Sequence, residues 1–184
     1  MHRLQENSTA KNIQEIFREE KAKKTSESKL KTSYIIMPSD LNGKNDLYGG
    51  RLLDYADHLA GAVAIRHLRG SVTTASVDSF NFLKPFHLGE LLFAEAYVSG
   101  VGNKSMEIFI KFYAEDVITN ERFLGAHCFY TFVATNLKGK KIPQIIPETE
   151  EERRIMAGYE ERRRQNLERV KRNKEYENFI QIDD

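Results

Sequence analysis

Between positions 48 and 69 the chain reads YGGRLLDYADHLAGAVAIRHLR, and this stretch restricts the possible folds more than any other. Leu52, Ala56, Leu59, Ala60, Val63 and Ala64 recur three or four residues apart, the spacing of one helix face. The segment is unusually rich in small residues. Ala56, Ala60, Gly61, Ala62 and Ala64 let another backbone approach closely, although Gly61 gives up some intrinsic helix stability. Such a helix calls for a sheet to embed it. After Gly70 the period changes to two, most clearly where Met106, Ile108, Ile110, Phe112 and Ala114 alternate with Glu107, Phe109, Lys111 and Tyr113.

Further strands are expected over 30–37, where Pro38 ends the run, and over 71–83, 91–99 and 122–135. The breaks KPFHLGE, GVGNK, EDVITNE and NLKGKK are rich in turn formers and short enough to join antiparallel neighbours. One strand, a long helix and four strands make an α+β domain over 30–147. A polar, charged arm over 1–29 precedes it, with a short helix expected around 12–24 on Ile13, Ile16 and Phe17. A charged helical extension over 148–184 follows it. Residues 148–177 hold nine acidic and nine basic side chains, and Glu150–Arg154, Glu160–Arg164 and Glu168–Arg172 have the acidic-before-basic spacing that supports an exposed helix. Its apolar stripe of Ile155, Tyr159, Leu167 and Val170 is sparse, which favours a solvated helix lying against the domain over a dedicated partner-binding helix.

A formal net charge of +1 supplies no broad attraction to nucleic acid or anionic membrane, so an anionic ligand needs a local cluster. The single cysteine, Cys128, rules out an intrachain disulfide and a cysteine zinc cluster. The N-terminus lacks the apolar run of a secretory signal, no stretch approaches the length of a membrane span, and a soluble cytoplasmic protein with neither nucleic-acid nor membrane partners is expected.

The densest chemistry lies in PSDLNGKNDLYGGRLLDYADHLAG, which runs from a strand end through a polar loop into a glycine-marked helix start. Gly49 and Gly50 permit close approach to backbone, and N–H groups at a helix start can polarise a carbonyl oxygen; a tight turn alone explains them too. Asp57 follows Gly50 by seven residues, close to two helical turns, and is set among Leu53, Ala56, Ala60 and Gly61. An embedded carboxylate is costly unless paired or used, which makes Asp57 either a structural or a basic group, whereas Asp54 suits a solvated role. Asn42 can donate to a carbonyl or simply form a turn. His127 and Cys128 are adjacent on a strand and so point to opposite faces, which denies them a nucleophile–base pairing. His58, His67 and His87 show no metal-ligand spacing, and no metal site is expected.

These segments, together with VTTASVDSFNFLKPFHLGE, VGNKSMEIFIKFYAED and FVATNLKGKKIP in that order, resemble the cytosolic acyl-CoA hydrolases of the hotdog superfamily. The resemblance covers roughly residues 30–152. It implies a hotdog fold, an antiparallel sheet wrapped around a long central helix, with two units pairing so that their sheets become continuous. It also implies thioester hydrolysis of acyl-CoA with no cofactor, coenzyme A being part of substrate and product. By resemblance Asp57 is general base or nucleophile, Asn42 of one subunit works with the aspartate of its partner, and the backbone at Gly49 and Gly50 polarises the thioester carbonyl. Tyr48 stands where the family often has Phe or His, and Asn45 where it has glycine. The coenzyme A phosphates are expected at the turn of Gly102, Asn103, Lys104 and Ser105, where the family arginine is absent, and near Arg66 and His67 at the helix end. A homodimer is the implied minimum and a trimer-of-dimers hexamer the expected assembly. A non-catalytic acyl-CoA sensor and a hotdog hydratase or dehydratase using His58 stand as alternatives.

Overall fold

A computed structural model describes residues 22–137 and 139–182. The expected helix over 12–24 falls almost entirely outside them; Lys23 and Lys24 form strand β1. Strand β2 (Leu30–Ile35), helix α1 (Gly49–Leu68) and strands β3 (Val72–Phe82), β4 (Glu90–Val101), β5 (Ser105–Asp116) and β6 (Arg122–Ala134) follow. Strand β7 (Ile145–Ile146) pairs in parallel with β1. The five long strands form one antiparallel sheet in the order β2-β4-β5-β6-β3, so β2 and β3 are its edges.

Helix α1 lies on the inner face of that sheet. Its buried stripe of Leu52, Ala56, Leu59, Ala60, Val63 and Ala64 is the one read from the spacing, and it faces Ala94, Ala96, Ile108, Ile110, Phe112 and Cys128. Each large aliphatic buried there contributes about 1.5–3 kcal/mol. The alanines on both sides set how near helix and sheet come.

The C-terminal end of α1 is closed by chain from both sides of the domain. Residues 22–29 are docked there: Thr25 Oγ1 donates to the Ile146 carbonyl at 3.0 Å, and Lys23 Nζ donates to the His67 carbonyl. His67, expected among the coenzyme A contacts, is fully buried between Ser28 Oγ at 3.2 Å from Nδ1 and the Pro143 carbonyl at 2.8 Å from Nε2. It is a packing residue, because the last turn of α1 faces this closure and not open solvent. Arg66 remains exposed, with Nε donating to the Glu27 carbonyl at 2.9 Å.

The charged extension forms two helices, α2 (Glu150–Ala157) and α3 (Tyr159–Glu177), meeting at Gly158. Thr149 and Glu152 cap α2 reciprocally. Of the expected ion pairs, Glu150–Arg154 forms at 2.9 Å. Glu160 instead meets Arg163 and Arg164 meets Glu161, both at i,i+3, while Glu168, expected to pair with Arg172, meets Arg164 one turn before it. Both helices cover the outer face of the sheet. Ile155 and Met156 pack on Tyr97, Phe109 and Phe129, and Tyr159 lies where a Cβ on Gly100 would come within 2.0 Å of its ring. Arg162 stacks over Phe129 and grips the buried Glu107 with two nitrogens, at 2.8 and 3.0 Å. Beside it Lys29, Glu95, Lys111, Glu151 and Glu152 form an ionic network between sheet and α2.

Acid should loosen this structure in two stages. Burial holds the His67 and His127 rings below the ordinary 6.5, the Pro143 carbonyl opposing only in part at His67. Their folded values lie under the unfolded ones, so the stability they contribute is complete above about pH 6.5 and is lost as pH falls below it. Glu95 and Glu152 would be raised by burial, but Lys29 and Lys111 at the first, and backbone N–H groups with Lys29 at the second, hold both below the ordinary 4.5. Their contribution drains away below about pH 4.5. Melting temperature should therefore fall from pH 7.5 to 5 and again below 4.5, the first decline being smaller in His67→Gln; a flat profile from 7.5 to 5 contradicts it. Glu107→Ala should cost about 3 kcal/mol, because Arg162 then stays covered without its partner, and denaturant unfolding measures this directly.

Candidate active site

Helix α1 begins without a capping side chain. Tyr48 at its N-cap has extended backbone (φ −62°, ψ 127°) and makes no side-chain hydrogen bond to the first turn, whose donors point out of the helix end. A Cβ on Gly50 would come within 2.3 Å of the Tyr48 ring, so only glycine lets that half-exposed ring fold over the helix start. Gly49 faces the Phe82 ring at the end of β3. Ser39, Asp40, Leu41, Tyr48, Gly50, Arg51 and Asp54 line a cleft of about 290 Å³ at this end. The buried Asp40 carboxylate braces it, accepting from Met37 N–H at 3.1 Å and pairing with Arg51 at 3.1 Å.

The loop before the helix is closed by Asn42. Its Oδ1 accepts from Lys44 N–H at 2.8 Å and Asp46 N–H at 3.2 Å. The amide is thereby oriented with its NH2 as the end able to donate outward. Both readings of Asn42, turn former and donor, are compatible with this geometry. Asn45 adopts φ 63°, the left-handed region where asparagine is the residue best tolerated in place of glycine.

Asp57 is exposed in the single chain, which corrects the expectation of an embedded carboxylate. The small residues near it in sequence, Ala56 and Ala60, face the core, while Asp57 is turned about 100° from Ala56 toward edge strand β3. There it accepts a 2.8 Å hydrogen bond from Thr74 Oγ1. Nothing in the strand VTTASVDSF distinguishes this threonine from an ordinary β-former, and it was not among the expected site residues. His58, 79% exposed, turns its ring to Asp54 and not to Asp57.

Asn103 and Lys104 are exposed at the tip of the β4–β5 hairpin, closed by Gly102 N–H to the Ser105 carbonyl at 2.8 Å. Ser105 pairs with Val133 and Val133 with Thr73, so this turn lies two strands, about 10 Å, from the residue preceding Thr74. Ser105 also lines a groove of about 240 Å³ with Arg163 and Asn166 of α3. The structure thus brings Asp57 to Thr74 and gathers Tyr48, Gly49 and Gly50 at one helix end. It leaves seven residues of helix, about 10 Å, between Gly50 and Asp57.

Comparison with known proteins places this geometry. Residues 44–120 match the thioesterase superfamily. A Bacillus subtilis protein named as an uncharacterized acyl-CoA thioester hydrolase, YkhA, is 44% identical over 128 residues, covering 68% of this chain and 74% of its own. The rat cytosolic acyl coenzyme A thioester hydrolase is 35% identical over 125 residues, 66% of this chain but only 33% of that longer protein. An acyl-CoA hydrolase from Staphylococcus aureus, solved with butyryl coenzyme A and coenzyme A, superposes with a TM-score of 0.80 at 33% identity over 87% of this chain and 99% of its own. A hexameric acyl-CoA thioesterase superposes at 0.77 with 31% identity, over 82% of this chain and 97% of its own. The S. aureus enzyme was also solved as separate alanine variants of an asparagine, an aspartate and a threonine, spaced 15 and 17 residues apart. Asn42, Asp57 and Thr74 stand at the same two spacings. With the helix-wrapping sheet, this level of identity over most of a relative's length establishes that the chain belongs to the hotdog thioesterase superfamily, among the acyl-CoA thioester hydrolases.

Proposed function

We propose that the protein hydrolyses acyl-CoA thioesters to free acid and coenzyme A, with Asp57 as the central carboxylate. The observation that carries the reading is the Asp57–Thr74 hydrogen bond, made by two residues that share their spacing from each other and from Asn42 with the residues varied in the S. aureus enzyme. In this reading Thr74 holds one carboxylate oxygen and leaves the other for water. Water adds to the thioester carbonyl and gives its proton to Asp57; the C–S bond then breaks, and the proton passes to the departing thiolate. Attack by the carboxylate itself, through a mixed anhydride that water then opens, uses the same groups. Both routes balance with water alone.

The carbonyl needs donors within about 3 Å of its oxygen, and the helix-start N–H groups of the same chain lie about 10 Å along the axis from Asp57. A second copy removes the conflict. Strand β3 is an eleven-residue edge with Val77 and Phe82 exposed, and Asp57 stands beside it. Pairing of two such edges would make one continuous sheet and bring Asp57 of one copy toward Asn42, Gly49 and Gly50 of the other. We therefore place the site in a homodimer, with a trimer of dimers as the full assembly. The Lys104 turn and Arg66 remain the cations nearest in sequence to the family's coenzyme A contacts. Cytosolic acyl-CoA is the expected substrate pool, and no helix among the described residues is long and apolar enough to cross a membrane.

A purified-protein screen with acyl-CoAs of increasing chain length, read by free thiol, tests the proposal. Asp57→Asn should lower kcat by about 10²–10⁴-fold. Thr74→Ala should lower it by about 10-fold or more, as for loss of a hydrogen bond to a charged group. Full hydrolysis by Asp57→Asn would remove that residue from its role, and a wild-type protein inert toward every chain length would remove the function. Sedimentation should show no active monomer.

A further inference from the structure

Strand β3 leaves regular pairing with β6 twice within a few residues, once between Thr74 and Ser76 and again between Val77 and Ser79. Asp78 falls in the second irregularity. Its side chain, 4% exposed, points to the outer face of the sheet, away from α1, and is fully engaged. Ser76 Oγ and Arg169 Nη2 donate to Oδ1, each at 2.5 Å, and Thr131 Oγ1 donates to Oδ2 at 2.5 Å. Arg169 Nη1 also donates to the Asp78 main-chain carbonyl at 2.9 Å. A bulge takes a residue out of the ladder and re-aims the strand around it. Here a guanidinium from helix α3, 91 residues away, satisfies both the carboxylate and the carbonyl of the bulged residue.

Within α3, Arg163 and Arg164 pair with glutamates of their own helix, and Arg162 reaches Glu107 on the central strand β5. Arg169 differs in its target. Thr74, the residue that holds Asp57, stands at the first irregularity, four residues before Asp78 on the same edge strand. Side chains on a strand alternate between faces, so a one-residue adjustment of this stretch would turn the Thr74 hydroxyl away from α1. Within one chain β3 has only β6 beside it in the sheet, and in the proposed dimer its other side meets β3 of the second copy, an identical strand whose register is set by the same clamp.

We infer that Arg169 is a positioning residue for the thioesterase site: by clamping Asp78 it locks the bulged edge strand in the register that directs Thr74 onto Asp57. The inference rests on the proposed role of the Asp57–Thr74 pair, and it gives the charged C-terminal helix a part in the reaction that its solvated sequence does not advertise.

The test compares Arg169→Ala and Arg169→Lys with Arg154→Ala, an exposed arginine paired only within its own helix. Two readings are taken on the full chain: hydrogen exchange of the amides of residues 73–79, and kcat and KM for the best acyl-CoA. Arg169→Ala should lose protection across that segment and lower kcat by about tenfold with KM within about twofold, the size expected of a small misplacement of a reacting group. Arg169→Lys, with one donor point in place of a fork, should fall between Arg169→Ala and wild type. In a Thr74→Ala background Arg169→Ala should cost nothing further, since both act through one hydroxyl. A purely structural clamp would leave kcat unchanged below the melting transition, or would lower it equally with and without Thr74; either result overturns the inference. If the wild type hydrolyses no acyl-CoA, the reading of function fails by itself, and unchanged protection of 73–79 in Arg169→Ala would separately overturn the clamp.

Discussion

The close seating of helix α1 in the curve of the sheet is the contact from which the rest of the structure follows. Ala56, Ala60 and Ala64 face Ala94, Ala96 and other buried sheet residues with no solvent between them. Adding methylenes to such a contact costs about 1–3 kcal/mol, because packed interiors have little room to yield. The same seating settles how α1 is rotated about its axis. With the alanine row against the sheet, Asp57 is turned toward the β3 edge, and the uncapped helix start is presented at the opposite end of the loop that Asn42 closes.

The outer face of the sheet is covered differently. Its aromatic patch of Tyr97, Phe109 and Phe129 is shielded by Ile155 and Met156, but the surrounding contacts are charged. Arg162 with Glu107, Arg169 with Asp78, and Lys29 with Glu95 and Glu152 are removed in part from water. Desolvation offsets much of the attraction in such pairs, so their net contribution to stability is small; an unpaired partner left behind is what costs. Their effect is to hold the two C-terminal helices in one place on the sheet. An apolar contact of similar area would tolerate sliding.

The proposal of a site shared between two copies rests on simple lengths. About 10 Å of helix separates Gly50 from Asp57 within one chain, more than a single carbonyl can bridge. The exposed carboxylate and the long unpaired edge beside it are two aspects of one unfinished surface. In the proposed dimer, covering that surface would desolvate Asp57 and extend the sheet together.

Much of this was legible in the sequence. Period-two and period-3.6 patterns located all five long strands and α1 to within about two residues at nearly every boundary, since a half-buried element writes its face into its spacing. Asn42, Gly49, Gly50 and Asp57 stood out as polar and glycine breaks in an apolar pattern, but their assignment to one site came from the resemblance to acyl-CoA hydrolases. Tertiary structure alone decided the rest. His67 looked like a ligand contact and proved to be core, because the chain that buries it comes from residues 28 and 143, far apart in sequence. Asp57 looked embedded on its own helix and is exposed in the single chain, because nearness in sequence does not say which side of a helix meets the sheet. Thr74 and Arg169 carried no local signal at all, since a threonine in a strand and an arginine in a charged helix are ordinary until folding sets each against a carboxylate. Sequence by itself determined the elements, their order and the chemistry available, through short-range periodicity. Which of those groups meet was decided by packing, where residues 17 or 91 apart become neighbours.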